Sequence, residues 1–195
     1  MTTHDFRGFA GDCTIMGQIE LADGRLTDAL NQANEVVVRG AVLTSLADDR
    51  ALHFEELPVR RDELLLVGSD APAGVEQRRL RTVRELLRVE AGPYIVFGDV
   101  HALPGVGGLR AFHSRRGFVP LTSCRVAFAR GEHLEVARTH FLLVNTDFVH
   151  LADPTTPEQC LEELEARAAH LSELAERSAR SDRRDPLIDG AGAVA

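Results

Sequence analysis

The 195-residue chain has no lysine and no tryptophan, a single tyrosine and three cysteines. Without lysine no P-loop can be assembled, because its phosphate-binding cation is missing. Cys13, Cys124 and Cys160 are odd in number and far apart, with no CxxC pair. This excludes a disulfide framework and points to packing thiols in a reducing, cytoplasmic setting. No apolar run reaches the roughly 18 residues of a membrane span, and the polar start Met1 to Arg7 carries no signal-peptide core. Positive charge is also short: 22 arginines face 30 acidic residues, a net charge of −8. Such a chain is a poor generic ligand for nucleic acid or an anionic membrane. What is present is enough apolar material, 44% of residues, for a globular core that needs no disulfide.

Laid on itself at an offset of roughly 80 residues, the chain reads as two copies of one unit. A strand with an internal glycine opens each copy, Thr14 to Ile19 around Gly17 and Tyr94 to Val100 around Gly98. Glycine inside a strand marks a bulge or a close backbone approach. A short helical segment follows, Arg25 to Asn31 in one copy and Leu109 to His113 in the other. Next comes an alternating strand, Val36 to Leu46 against Phe118 to Phe128, and then hairpin turns at Asp48-Asp49-Arg50 and Arg130-Gly131-Glu132. The most apolar runs, Leu64 to Val67 and Phe141 to Val144, read as equivalent buried strands, with Arg61 and Arg138 at matching distances before them.

Each copy is expected to close with a helix. Residues 75 to 90 carry an apolar stripe of Val75, Leu80, Val83, Leu86 and Leu87 before Gly92-Pro93. Residues 157 to 177 begin with Thr156 as N-cap, Pro157 at the first helical position and Gln159 at the capping-box position. The first helix is rich in arginine and the second in glutamate, so the two are expected to lie side by side. Arg78, Arg81, Arg84 and Arg88 would then face Glu162 and Glu165 as protein-interaction residues. Residues 179–195 turn to Ser, Arg, Asp, Gly and Ala and read as a mobile tail.

Motifs for chemistry are sparse. Gly98-Asp99-Val100-His101 has the shape of one metal-ligating motif of a metallophosphoesterase, but no later ligands complete it. Gly105 to Gly108 reads as a flexible turn more than a phosphate loop. No GxSxG elbow occurs and no cysteine stands in a nucleophile context, so a non-enzymatic protein without cofactor or metal is expected. A nucleotide or other anion could still sit in a cleft between the copies, with Arg25, Arg110, Arg115 and Arg116 as its ligands.

The pattern of strand, short helix, three strands and helix resembles bacterial proteins built from duplicated small β-barrels of Sm-like or SH3-like character. The resemblance spans about residues 10 to 175 and rests on pattern. The pattern itself is that of an α+β fold, a tandem duplication of a small antiparallel β-barrel or half-sandwich unit, each closed by a C-terminal helix. The units would be residues 10–92 and 93–178. The resemblance implies a binding module. The expected function is a cytoplasmic adaptor or regulatory protein acting through a protein partner or homo-oligomer. RNA binding of the Sm-like kind is a weaker expectation, because basic and aromatic surface is scarce.

Overall fold

A computed structural model describes residues 2–21, 25–69 and 81–182. The first half runs β1 (Thr2–Phe9), β2 (Cys13–Leu21), α1 (Leu26–Gln32), β3 (Glu35–Ser45), β4 (Ala51–Arg60), a 3-10 turn at Arg61–Glu63 and β5 (Leu66–Ser69). The second runs β6 (Val83–Ala91), β7 (Tyr94–Ala102), α2 (Gly108–His113), β8 (Phe118–Arg130), β9 (His133–Asn145), a 3-10 turn at Thr146–Phe148 and β10 (Val149–Pro154). The chain closes with α3 (Pro157–Asp182).

All ten strands form one sheet in the order β10-β6-β7-β8-β9-β5-β1-β2-β3-β4, with every pairing antiparallel. The expected tandem of small barrels, each closed by its own helix, is therefore incorrect. The last strand of the first half, β5, is hydrogen-bonded to β1 and to β9 of the second half, and β4 and β10 are the two ends of one open sheet.

Within that sheet the strand order repeats. Read from either half, the fifth strand lies beside the first, followed by the second, third and fourth. The glycine positions repeat as well. Pairing of β2 with β3 shifts register between Met16 and Gln18, and pairing of β7 with β8 shifts between Phe97 and Asp99. Gly17 and Gly98 stand at these bulges because a Cβ on Gly17 would meet Val38 Cγ1 at 2.6 Å and one on Gly98 would meet Cys124 Sγ at 2.7 Å. Opposite them, Gly40 and Ser123 carry the positive φ values of 54° and 55° that bend the facing strand.

Two further expectations are corrected. The expected helix over 75 to 90 is a strand from Val83 onward; its earlier residues lie outside those described. Leu87, Val89 and Ala91 are buried while Arg88 and Glu90 alternate with them, a period of two that outweighs the helix-like spacing of Val83, Leu86 and Leu87. The two apolar runs are not equivalents but partners. Leu66 pairs with Val144 and Val67 with Leu143, so the most apolar segments of the two halves are bonded to each other.

That pairing explains their composition. Leu66 and Val144 point into a core formed mainly by the second half, with Leu87, Val96, Phe112 and Val126. Val67 and Leu143 point the other way, into the first-half core of Phe6, Ile15, Leu30 and Val38. A strand buried on both faces needs side chains that are apolar throughout, and each fully buried Leu or Val contributes roughly 1.5–3 kcal/mol. Asn145 ends the joint, its backbone N–H donating to Leu65 O at 2.9 Å and its buried amide donating to Leu64 O at 3.0 Å.

The expected start of α3 is present. Thr156 N–H donates to Gln159 Oε1 at 3.0 Å, and Gln159 N–H donates to Thr156 Oγ1 at 3.3 Å. The helix reaches Asp182, past the point where a mobile tail was expected, and the residues beyond lie outside those described. None of the helices among the described residues is long and apolar enough to cross a membrane.

Candidate functional site at the joint of the two halves

Where β9 meets β5 and β1 meets β2, the sheet surface holds a cleft of about 360 Å³. Its depth comes from Gly68, which stands between Arg7 on β1 and Leu142 on β9 and presents no side chain. A Cβ added there would touch nothing closer than 3.8 Å. Phe9, Met16, Val126 and Ala137 line its apolar part, and Arg7, Arg138, Thr139, Ser69 and Asp5 supply its polar part. Two of the hydroxyls are engaged: Thr139 donates to Phe141 O at 2.9 Å and Ser69 to Asp5 O at 2.7 Å.

Arg7 has a counterpart whose chemistry is fully displayed. Arg7 faces Met16, the residue before Gly17, and Arg88 faces Phe97, the residue before Gly98. On their other sides Arg7 faces Gly68 on β5 and Arg88 faces Asp153 on β10. The two arginines thus occupy one position of the repeated strand order. Arg88 is gripped by α3: its Nε donates to Glu163 Oε2 at 2.5 Å and its Nη2 to Glu163 Oε1 at 2.7 Å, a two-pronged carboxylate clasp. Glu90 also bonds Arg88, while Arg167 and His150 approach Glu90 at 3.7 and 3.1 Å. Hydrogen bonding to Arg88 holds the Glu163 carboxyl below the ordinary carboxylate range, against a smaller opposing effect of burial. Next to this clasp, Cys160 and Leu164 cover Ile95 and Phe97.

The residues singled out from the sequence fall elsewhere. Arg25 is the N-cap residue of α1 and exposed, Arg110 lies on α2, and Arg115 donates to His101 O at 3.0 Å. Arg116 is exposed just before Gly117, and none of the four lines the joint cleft. Of the interaction residues, Arg88 meets α3, through Glu163 in place of Glu162 or Glu165, which are exposed. Arg84 approaches Asp99 at 4.0 Å, Arg81 is exposed, and Arg78 lies outside the described residues. The helix-to-helix pairing of opposite charge is therefore replaced by a strand-to-helix one. Arg61 and Arg138 are not equivalents either, since one starts a 3-10 turn and the other lies inside β9.

The remaining motifs are occupied by the chain's own groups. His101 contacts Thr122 Oγ1 at 2.8 Å and Thr82 Oγ1 at 3.2 Å, and no cluster of three metal-ligating side chains occurs among the described residues. At the glycine loop, Gly108 N–H donates to Glu85 Oε2 at 2.5 Å, so a carboxylate already sits where an anion would approach. A Cβ on Gly108 would come within 2.6 Å of Val100 Cγ1, which is why the loop needs glycine there.

Neither Arg7 nor Arg138 stands in the sequence motifs that point to a ligand. A signal for Arg7 existed: it precedes Gly17 by the same interval as Arg88 precedes Gly98. Aligning the copies one strand earlier finds it. No family model matches the chain, and no curated protein or solved structure matches it.

Proposed function

We propose that this chain is a non-enzymatic adaptor that associates with copies of itself, adding β4 of one copy to β10 of the next. The observation that supports this reading is the strand order. The joint inside the chain pairs the fourth strand of one half with the fifth strand of the other, and the two ends of the sheet are again a fourth strand and a fifth strand. The β4 and β10 edges occupy the same places in the repeated strand order as β9 and β5. Continuing the internal register sets Val59 against Leu151, as Val144 is set against Leu66. Unpaired strand edges are templates for further pairing, and these edges carry half-exposed apolar side chains, Leu52 and Phe54 on β4 and Leu151 on β10.

A contact between unlike edges is head-to-tail, so it builds rings or filaments and not a simple two-fold dimer. Sedimentation velocity over a range of concentrations tests the reading. The expected result is a mass above that of one chain that rises with concentration and falls when Leu151→Lys places a charge on the β10 edge. A monodisperse monomer at about 1 mM would overturn it.

A further inference from the structure

We infer that the cleft at the joint is a binding site for a small organic carboxylate with a compact apolar body, held by Arg7 and Arg138. The chain provides its own template. At the position equivalent to Arg7, Arg88 takes a carboxylate through two parallel hydrogen bonds, with apolar side chains of the same helix resting on Phe97 beside it. In the first half the guanidinium is retained at the same register position, and neither Arg7 nor Arg138 has a carboxylate partner among the described residues.

The neighbours differ in the direction that opens the site. Phe97, nearly fully buried beneath α3, is replaced by Met16, whose surface is 49% exposed. Asp153, facing Arg88, is replaced by Gly68, which removes both a negative charge and a side chain. The first change supplies a soft, adaptable apolar wall and the second supplies room. Arg138 adds a second cation on the β9 side, so the described lining residues, with Asp5, carry one excess positive charge in a protein of net charge −8. A planar guanidinium fork beside an apolar wall suits a carboxylate, and a ligand that is charge alone would leave the exposed face of Met16 wet.

Benzoate, acetate and benzamide separate these requirements, read by amide shifts of the ¹⁵N-labelled full chain. Benzoate is expected to shift the Gly17, Gly68 and Thr139 amides saturably with a Kd of about 1 mM or tighter. Acetate should bind several-fold more weakly, because it lacks the apolar body, and benzamide should not bind. Arg7→Gln and Arg7→Lys are each expected to weaken benzoate about tenfold, the second because an ammonium cannot form the fork. Arg138→Gln, on an exposed strand position, gives an independent loss should the Arg7 variants not fold, and Arg116→Gln should change nothing. Benzoate shifts that do not saturate, acetate binding as well as benzoate, or benzoate binding that ignores both Arg7→Gln and Arg138→Gln would each overturn the site. These readouts do not depend on how copies of the chain associate, so the site and the assembly stand or fall separately.

Discussion

The hydroxyl of Tyr94, at the start of the second half's β7, donates to Ala10 O at 2.6 Å and lies 3.2 Å from Cys13 O in the hairpin turn of the first half. The only tyrosine is thus a tie between halves, and its ring packs edge-on against Phe9 at 5.3 Å and Phe128 at 5.4 Å. Burial raises the phenol pKa above its ordinary value, because ionisation would place a charge in an apolar core. Tyr94→Phe keeps the ring contacts but leaves the Ala10 carbonyl without this donor. Urea denaturation should show a loss of roughly 1–3 kcal/mol with an unchanged m-value. A loss near zero would mean that water replaces the hydroxyl and that the tie has no energetic weight.

The two strand glycines should differ in their tolerance of alanine. At Gly17 the new methyl would meet Arg39 O at 2.7 Å as well as Val38, so backbone must move. At Gly98 its nearest neighbour is the Cys124 sulfur, and the next is Leu121 Cβ at 3.2 Å. Side chains yield more easily than backbone. Both substitutions should destabilise by roughly 1–3 kcal/mol, Gly17→Ala more than Gly98→Ala. The reverse order in thermal melts would show that the bulge in the second half is the stiffer one.

The clasp between Arg88 and Glu163 makes attachment of α3 sensitive to acid. A carboxyl whose folded pKa is depressed adds stability that is fully present above its unfolded pKa and is lost as pH falls through the folded value. Protection factors of the α3 amides, corrected for the intrinsic exchange rate at each pH, should therefore be high at neutral pH and fall below the ordinary carboxylate range, while those of β7 and β8 stay high. Glu163→Gln should remove this dependence and cost roughly 1–3 kcal/mol, between the values for exposed and buried pairs, because the side chains are 18% and 24% exposed. Cooperative loss of α3 and the sheet together would show that the helix is not held by this pair.

The same clasp shows how much could be read from the residues alone. The N-cap of α3 was legible because Thr156, Pro157 and Gln159 act within one turn and depend on nothing distant. Gly17 and Gly98 were legible as bulges for the same reason: the constraint is carried by a single position. Arg88 reads as an arginine that meets a glutamate, but on a helix, because Val83, Leu86 and Leu87 fit a helical stripe as well as a strand. What decided for strand was the neighbouring β7, a tertiary partner that local spacing does not contain. The partnership of Leu64 to Val67 with Phe141 to Val144 was hidden more deeply. Two strands buried on both faces look alike whether they are equivalent or adjacent, so their similarity reads as duplication although it reflects a shared interface. Arg7 shares its ten-residue spacing to a strand glycine with Arg88, but nothing local ties it to Arg138, and the two come together only when β9 is laid near β1 across β5.

The thiols should be inert in the folded chain. Burial pushes Cys124 up to about 12 and, with the Asp12 carboxylate nearby, Cys13 up to about 11, while Cys160 is also raised by burial. Thiolate is the reactive form, so iodoacetamide at pH 8 should leave all three unmodified in native protein and modify all three in denaturant. Stoichiometric labelling within minutes under native conditions would contradict the packing role.

Pro58 offers a gain-of-function test of head-to-tail pairing. Arg61 N–H donates to Asn34 O at 2.9 Å, on the β3 side of β4. Backbone groups alternate along a strand, so Val59 also faces β3 and the nitrogen of Pro58 faces the free edge. The equivalent residue in the internal joint is Leu143, opposite Val67, whose N–H is directed toward β5 as that of Asn145 is. The free edge therefore lacks one donor that the internal joint has, which is how edge strands are commonly blunted. Pro58→Val restores that donor and adds β-propensity. Self-association should strengthen roughly 3- to 10-fold, the effect of about one hydrogen bond, and Leu151→Lys in the same chain should cancel the gain. If Pro58→Val instead leaves the sedimentation profile of the wild-type chain unchanged, β4 is not the edge through which copies meet.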